Sequence, residues 1–344
     1  MVTELYGEDL LLTSEVITNN MPTLTDNKLK DLEDRINDAI EEYSVNTLTD
    51  KPRTHLGISE IGSECVRQIW YKFRWMKFEE HSGRMQRLFK RGHREESRFI
   101  SYLEGIGCKV EQYAQELWYS QHLNDYKILE LNADKSGGTG SYENVTNSSF
   151  HTSAAEKLGF KLNQFRISSV MGHYGGSCDG KAVTPWYDDK LLVEFKTHNT
   201  KSFTHYIDKG LHKSKPKHFN QMCGYGYHMG LQYAIYFPEN KNDDDIKVSI
   251  VKLDWQRGMQ LEKRAVEVIT SQEPPAKISE NPAFFECQYC TFKNICHNNE
   301  VPIKNCRSCR LCKPVEDAQW HCSRYNQLIP KEYLIKGCDG WTPL

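Results

Sequence analysis

The chain has 344 residues, 38% of them apolar and 26% charged, with a formal net charge of −2. That length suits one sizeable domain with an appendage, or two domains, of a soluble protein. No apolar run approaches the roughly 18 residues of a membrane span. The N-terminus lacks the basic start and apolar core of a signal peptide, and the charge argues against a protein held on nucleic acid by bulk attraction alone.

In chain order, residues 1–50 read as an appendage. Within it, Leu29, Leu32, Ile36 and Ile40 recur at helical spacing among acids and lysines, which predicts an amphipathic helix over 27–43. The main domain opens at Leu56–Phe73, dense in apolar and aromatic residues. Trp70, Tyr71, Phe73 and Trp75 are expected in the core rather than stacked on bases. A helix is predicted over 84–103, with Met85, Leu88, Phe89, Phe99 and Leu103 on its apolar side. One strand is predicted over 110–118. Residues 132–163, rich in Gly, Ser, Thr and Asn, read as a surface insertion or mobile loop. Three strands follow: 165–170, the segment into Asp179, and 191–196. A helix over 218–230, strands over 232–237 and 247–253 with their turn at 238–245, and a helix over 253–271 complete an α/β core. Pro274-Pro275 ends the last helix.

The chemistry concentrates in two segments. Asp179 follows a glycine-rich turn, Gly175-Gly176-Ser177-Cys178-Asp179-Gly180. Glu194-Phe195-Lys196 ends an apolar strand, where alternation puts Glu194 and Lys196 on one face and Phe195 on the other. Two carboxylates beside a lysine suit a divalent cation at a phosphodiester. A hard cation wants further oxygen ligands, and Glu96 is the best candidate, with His93 one helical turn earlier. Each signal alone is weak: an acid-x-lysine pair on a strand is common, and a Gly-Asp-Gly turn is usually only a turn.

In this order the residues resemble the PD-(D/E)XK nuclease superfamily, its RecB-like and lambda-type exonuclease branches in particular. Gly92 and Glu96 fit the first motif, Asp179 the second, and Glu194 with Lys196 the third. Gln221 and Tyr225 fit the Gln-x-x-x-Tyr signature of the RecB-like group. Cys178 stands where that superfamily commonly has proline. The resemblance spans roughly residues 56–296. It implies a restriction-endonuclease-like core, a central mixed sheet flanked by helices. It also implies a Mg²⁺- or Mn²⁺-dependent deoxyribonuclease with Glu96, Asp179, Glu194, Lys196, Gln221 and Tyr225 at the active site, whether Glu96 or His93 is the third ligand. DNA is the implied substrate, and the implied activity is that of an exonuclease at DNA ends in recombination or DNA processing. Phage-encoded proteins share the pattern, which implies the cytoplasm of an infected bacterium and a phage recombination or replication protein as partner. Lambda-type relatives form rings, so an oligomer is compatible. The competing expectation is a nuclease fold used only for DNA binding or as an adaptor; such proteins commonly lose an acid or the lysine, and here all are present.

The chain has twelve cysteines, most clustered at short spacings, which favours metal ligation in a reducing compartment over disulfides. Cys108, Cys178 and Cys223 stand apart and read as small core residues. Cys287-x2-Cys290-x5-Cys296 supplies three thiolates, and Cys65 is the candidate fourth, with His297 as the zinc-site alternative. One cysteine upstream and three downstream of the nuclease motifs resembles the iron–sulfur staple of AddB-type RecB-like nucleases, which implies a four-iron four-sulfur (4Fe-4S) cluster on Cys65, Cys287, Cys290 and Cys296. Residues 301–344 read as a small zinc module. Cys306, Cys309, Cys322 and Cys338 are the expected ligands, Cys312 and His321 the substitutes, because so few apolar residues would not fold without a metal. Lysines 213, 215 and 217, and the arginines around Gly92, are candidate phosphate contacts.

Overall fold

The computed structural model describes residues 25–48, 52–131 and 141–344; the start of the expected appendage, residues 1–24, lies outside them. The described residues form two compact units, one of residues 25–48 with 81–90, the other of 52–80 with 91–344. In the first unit the periodic apolar residues lie on helix α1 (Asp26–Leu48), and Leu29, Leu32, Ile36 and Ile40 remain exposed. Here Gly83 meets α1 so closely that a Cβ would stand 2.6 Å from the Glu41 carbonyl oxygen. Arg87 then donates to Glu41 Oε2 at 3.1 Å and Ser44 Oγ at 2.8 Å.

The second unit is a mixed α/β structure built on a five-stranded sheet. Its chain begins with β1 (Leu56–Gly57), α2 (Ile58–Ile61) and α3 (Val66–Phe73), and continues in α4 (Gly83–Gly105), which contributes residues to both units. The sheet comprises β2 (Lys109–Glu111), β8 (Gly180–Thr184), β9 (Tyr187–His198), β10 (Tyr233–Asn240) and β11 (Ser249–Lys252), in the order β11-β10-β9-β8-β2. Only β9 and β10 pair in parallel. The apolar run of β9 is buried on both faces, and its alternation sorts the residues. Val193 and Phe195 join Ile235 and Phe237 against Phe99 and Ile100 of α4, with the Phe99 and Phe195 rings 5.4 Å apart. Leu192, Ala234 and Tyr236 face the larger core instead. That core is closed by α6 (Thr200–Ser214), α7 (Pro216–Met229) and α8 (Trp255–Thr270). Trp70, Tyr71, Phe73 and Trp75 are all buried, as are Cys108, Cys178 and Cys223.

Three expectations need correction. The strand predicted over 110–118 divides into β2 and β3 (Gln115–Ser120), which belong to different sheets; β3 pairs with β4 (Asp125–Glu130). Of the polar segment 132–163, residues 132–140 lie outside the described ones, and the remainder carries secondary structure, against the mobile-loop alternative. From residue 141 it forms β5 (Glu143–Asn144) and helix α5 (Ser149–Lys157), capped by Ser148 Oγ, which accepts from the His151 N–H at 3.4 Å. Ala155, Phe160 and Leu162 cover Leu117 and Tyr126 in a small core of their own, so a few apolar residues suffice where a hairpin supplies the other wall. Finally, β10 runs through Pro238 rather than turning there. Its pairing with β11 ends at Tyr236, so the absent N–H of Pro238 costs no ladder bond to that strand.

Upstream of Asp179 lie β6 (Arg166–Ser169) and β7 (Tyr174–Ser177), and β7 pairs with both β6 and β1. Beyond α8 come two short helices, α9 (Phe285–Gln288) and α10 (Lys293–Asn298). The C-terminal residues form an antiparallel sheet of β12 (Cys312–Val315), β13 (Gln319–Cys322) and β14 (Gln327–Leu328), then helix α11 (Lys331–Leu334). This sheet shares the larger core: Trp320 is buried 5.4 Å from the Phe73 ring and 5.5 Å from that of His173. Among the described residues no helix is long and apolar enough to cross a membrane.

Candidate active site and cysteine sites

Register assembles the acidic site. Gly180 on β8 pairs with Val193 on β9, so Asp179, one residue earlier, comes beside Glu194. The Asp179 Oδ2 accepts the Phe195 N–H at 2.8 Å, which fixes its carboxylate against the strand. Glu194 is fully buried. Its Oε1 is paired with the Lys196 ammonium, and its Oε2 has no hydrogen-bond partner among the described residues. Glu96 reaches the site from α4. Gln112 donates to its Oε2 at 3.3 Å, and Nδ1 of the exposed His93 lies 3.2 Å from its Oε1.

The electrostatics show the three carboxylates acting on one another. Burial pushes Asp179 up to about 8; Glu194 and Glu96 push the same way, and Lys196 opposes them. Burial also raises Glu194, with Lys196 opposing and Glu96 adding. Burial disfavours the Lys196 ammonium, but Glu194 and Asp179 outweigh it and hold that group above its ordinary range, hence protonated at neutral pH. Three carboxylates drawn together from separate stretches of chain, two of them buried and one with an oxygen still unpartnered, fit a hard divalent cation.

Gln221 and Tyr225 lie one turn apart on α7. The Tyr225 hydroxyl donates to the Ser177 carbonyl at 2.6 Å, two residues before Asp179. Gly176 makes this approach possible, since a Cβ there would stand 2.7 Å from the Tyr225 oxygen. Sequence reading missed Gln112, and it missed a buried polar chain beside Lys196. In that chain Ser202 Oγ lies 3.1 Å from His198 Nδ1, His198 Nε2 lies 3.0 Å from the Tyr236 hydroxyl, and His218 Nδ1 lies 2.9 Å from the same hydroxyl. Burial, with the charges of Lys215 and Lys196, drives His198 down to about 4. Burial and Lys196 take His218 to about 3. No motif spacing links these residues; only the approach of α6 and α7 to β9 and β10 joins them. Of the lysines proposed for phosphate, Lys213 and Lys217 are exposed, while Lys215 turns inward to Ser202.

No protein-family model matches the chain, and no curated protein matches it. Solved structures do resemble it distantly. The protein SSO0001 is 13% identical, over 76% of this chain and 95% of its own, with a TM-score of 0.38. LHK-Exo in complex with dAMP is 15% identical, over 66% and 89% of the two chains, with a TM-score of 0.36. A further structure of LHK-Exo, an alkaline exonuclease from Laribacter hongkongensis, is 15% identical over 66% and 90%, with a TM-score of 0.29. At such TM-scores the chemistry of the site rests on its own residues.

The cysteines gather in two places. Cys65, Cys287, Cys290 and Cys296 line one cavity, with His297 among its walls. The Gln68 N–H donates to Cys65 Sγ at 3.4 Å and the Gln68 side-chain amide to Cys290 Sγ at 3.5 Å; Arg67 Nη1 lies 4.0 Å from Cys296 Sγ. Burial raises the Cys290 thiol, and the Gln68 amide opposes that shift. Cys306, Cys309, Cys312, Cys322 and Cys338 line a second cavity, where the Thr342 N–H points at Cys309 Sγ from 3.4 Å. His321 stands on β13, cross-strand from Lys313 and next to Cys322. Among the described residues no group of three or more His, Cys, Asp or Glu side chains stands so that it could hold a metal ion. At the acidic site Lys196 is itself the cation on Glu194.

Proposed function

We propose that the protein is a divalent-metal-dependent deoxyribonuclease, an exonuclease that hydrolyses phosphodiester bonds at DNA ends. The observation that carries this reading is the convergence of Asp179, just before β8, Glu194 and the protonated Lys196 on β9, and Glu96 from α4. Mg²⁺ or Mn²⁺ held by Asp179, Glu194 and Glu96 would supply a nucleophilic hydroxide and charge stabilisation for in-line attack on phosphorus. Lys196 acts as a charged donor rather than a base, because its carboxylate neighbours keep it protonated. Its ammonium orients the attacking water and offsets charge growing on the phosphoryl oxygens. Tyr225 is a positioning residue: through the Ser177 carbonyl it sets the turn that delivers Asp179. Gln112, and His93 beside it, orient Glu96.

Two further metal centres belong to the reading. Cys65, Cys287, Cys290 and Cys296 are proposed as ligands of a four-iron four-sulfur cluster. Cys65 reaches their shared cavity from one side of the acidic-site residues in sequence and the other three cysteines from the other, in keeping with a centre that ties the two together. Cys306, Cys309, Cys322 and Cys338 are proposed as zinc ligands.

The test is anaerobic purification, elemental analysis for iron and zinc, then assay on end-labelled linear and circular DNA with Mg²⁺ or Mn²⁺. Linear DNA is degraded, and Asp179→Ala and Lys196→Ala each abolish that activity. Pure, cluster-loaded protein that binds DNA without cleaving it sinks the nuclease reading in favour of an adaptor. Rapid cleavage of closed circles sinks the exonuclease assignment.

A further inference from the structure

Two arginines next to the C-terminal cysteines have no acid to answer them among the described residues. Arg74 and Arg307 are both fully buried. Arg74 Nη2 donates to the carbonyls of Cys309 at 2.9 Å and Cys312 at 3.0 Å, and its guanidinium lies over the rings of Trp70 and Trp320. Arg307 donates to the carbonyls of Thr54 at 3.1 Å and of Phe73, and stacks 4.6 Å from Phe73, 4.2 Å from Trp75 and 4.7 Å from Trp320. Arg74 Nε and Nη1 and Arg307 Nε have no hydrogen-bond partner, and among the described residues neither guanidinium pairs with a carboxylate. Aromatic faces and carbonyls supply only partial charges. Two buried cations side by side without a counter-ion are among the costliest arrangements in a protein interior.

The source of the opposite charge is within reach. Five cysteines ring the cavity whose backbone Arg74 grips. Four thiolates on one Zn²⁺ leave a net charge of −2, which equals the two guanidiniums in magnitude. Cys312 and Cys322 are cross-strand neighbours on β12 and β13, and both guanidiniums lie against Trp320 of that same β13.

We propose that Arg74 and Arg307 are the buried counter-charges of a dianionic zinc–thiolate centre at the C-terminal cysteines, so that zinc holds residues 306–344 onto the helix leading to Arg74. The inference rests on the zinc reading of those cysteines. It makes the tail part of the nuclease core rather than a free-standing finger. Arg74 is the clearer test, because its side chain holds the carbonyl of Cys309, one of the proposed ligands, and that of Cys312, while Arg307 is clamped between rings.

The experiment compares wild type, Arg74→Lys and Arg74→Met. Zinc is measured by elemental analysis and its release followed with a zinc chelator. Wild type carries zinc; Arg74→Met surrenders it about tenfold faster or more, and Arg74→Lys, which keeps the charge, falls between. Hydrogen exchange of residues 66–76 in the wild type, before and after zinc removal, needs no variant to fold: zinc loss raises exchange there. Wild type without zinc overturns the reading of the cysteines as a zinc site, and this inference with it. Zinc-loaded wild type whose exchange over 66–76 ignores zinc removal, or an Arg74→Met protein that holds zinc as tightly, overturns the charge pairing and leaves the zinc site standing.

Discussion

Asp179 carries the sharpest consequence at the scale of one residue. Its carboxyl, ordinarily near 3.8, is raised by burial and by Glu194 to about 8 in the fold. Between those values the native state binds a proton that the unfolded chain releases, so this group's contribution to stability is full at low pH and is lost as pH rises through about 8. The metal-free protein is therefore expected to melt at a lower temperature near pH 8 than near about pH 5 for this reason, and added Mn²⁺ to restore more the higher the pH, because only ionised carboxylates ligate. Thermal midpoints with and without Mn²⁺ check this; Asp179→Asn flattens the metal-free slope and removes most of the Mn²⁺ shift. Gln112→Ala tests the orientation of Glu96: its removal is expected to raise the Mn²⁺ concentration for half-maximal cleavage roughly tenfold. An unchanged metal requirement would show that Glu96 needs no such support.

Elements place these residues, and two packing devices set their positions. Arg98 on α4 donates to both Glu239 oxygens, at 2.6 and 2.7 Å, and Glu239 is wholly buried. That pair ties the helix bearing Glu96 to the end of β10. Arg98→Ala strands a buried carboxylate and is expected to cost about 3 kcal/mol in denaturant unfolding. The second device is the contact of α7 with α8. A Cβ on Gly258 would lie 2.5 Å from the Cys223 carbonyl oxygen and 2.4 Å from Tyr227 Cβ. Gly258→Val is expected to destabilise by about 2 kcal/mol or more through forced separation of the helices, and it would also disturb Tyr225 between those contacts. A neutral result in either unfolding experiment contradicts the stated packing role.

Across the whole molecule the cysteine sites join distant stretches of chain. Cys65 precedes the acidic site and Cys287, Cys290 and Cys296 follow it, so a cluster on these four would close a loop around all the residues of the acidic site. On that reading Cys65→Ala loses iron and its visible absorbance, and lowers stability by about 3 kcal/mol, the scale of a cross-link closing a long loop. Iron retained at wild-type levels in Cys65→Ala would transfer the site to the trio with His297.

Local pattern made much of this legible. Alternation along residues 191–196 placed Glu194 opposite Phe195, and helical periodicity located the helices at 84–103, 218–230 and 253–271, because the side-chain direction in each element is set by its own backbone. Short cysteine spacings marked the two thiol cavities for the same local reason. What the chain's order could not disclose is anything made by contact between remote segments. Gln112 reaching Glu96, Tyr236 shared by His198 and His218, the folding of 141–157 onto a hairpin, and two unanswered arginines beside the terminal cysteines all depend on register and helix packing. Their partners stand tens or hundreds of residues apart, at no fixed interval. Residue types and spacing thus singled out the candidate acids, lysine and cysteines, while tertiary structure decided which charges are buried together, since burial and proximity arise only when the elements close.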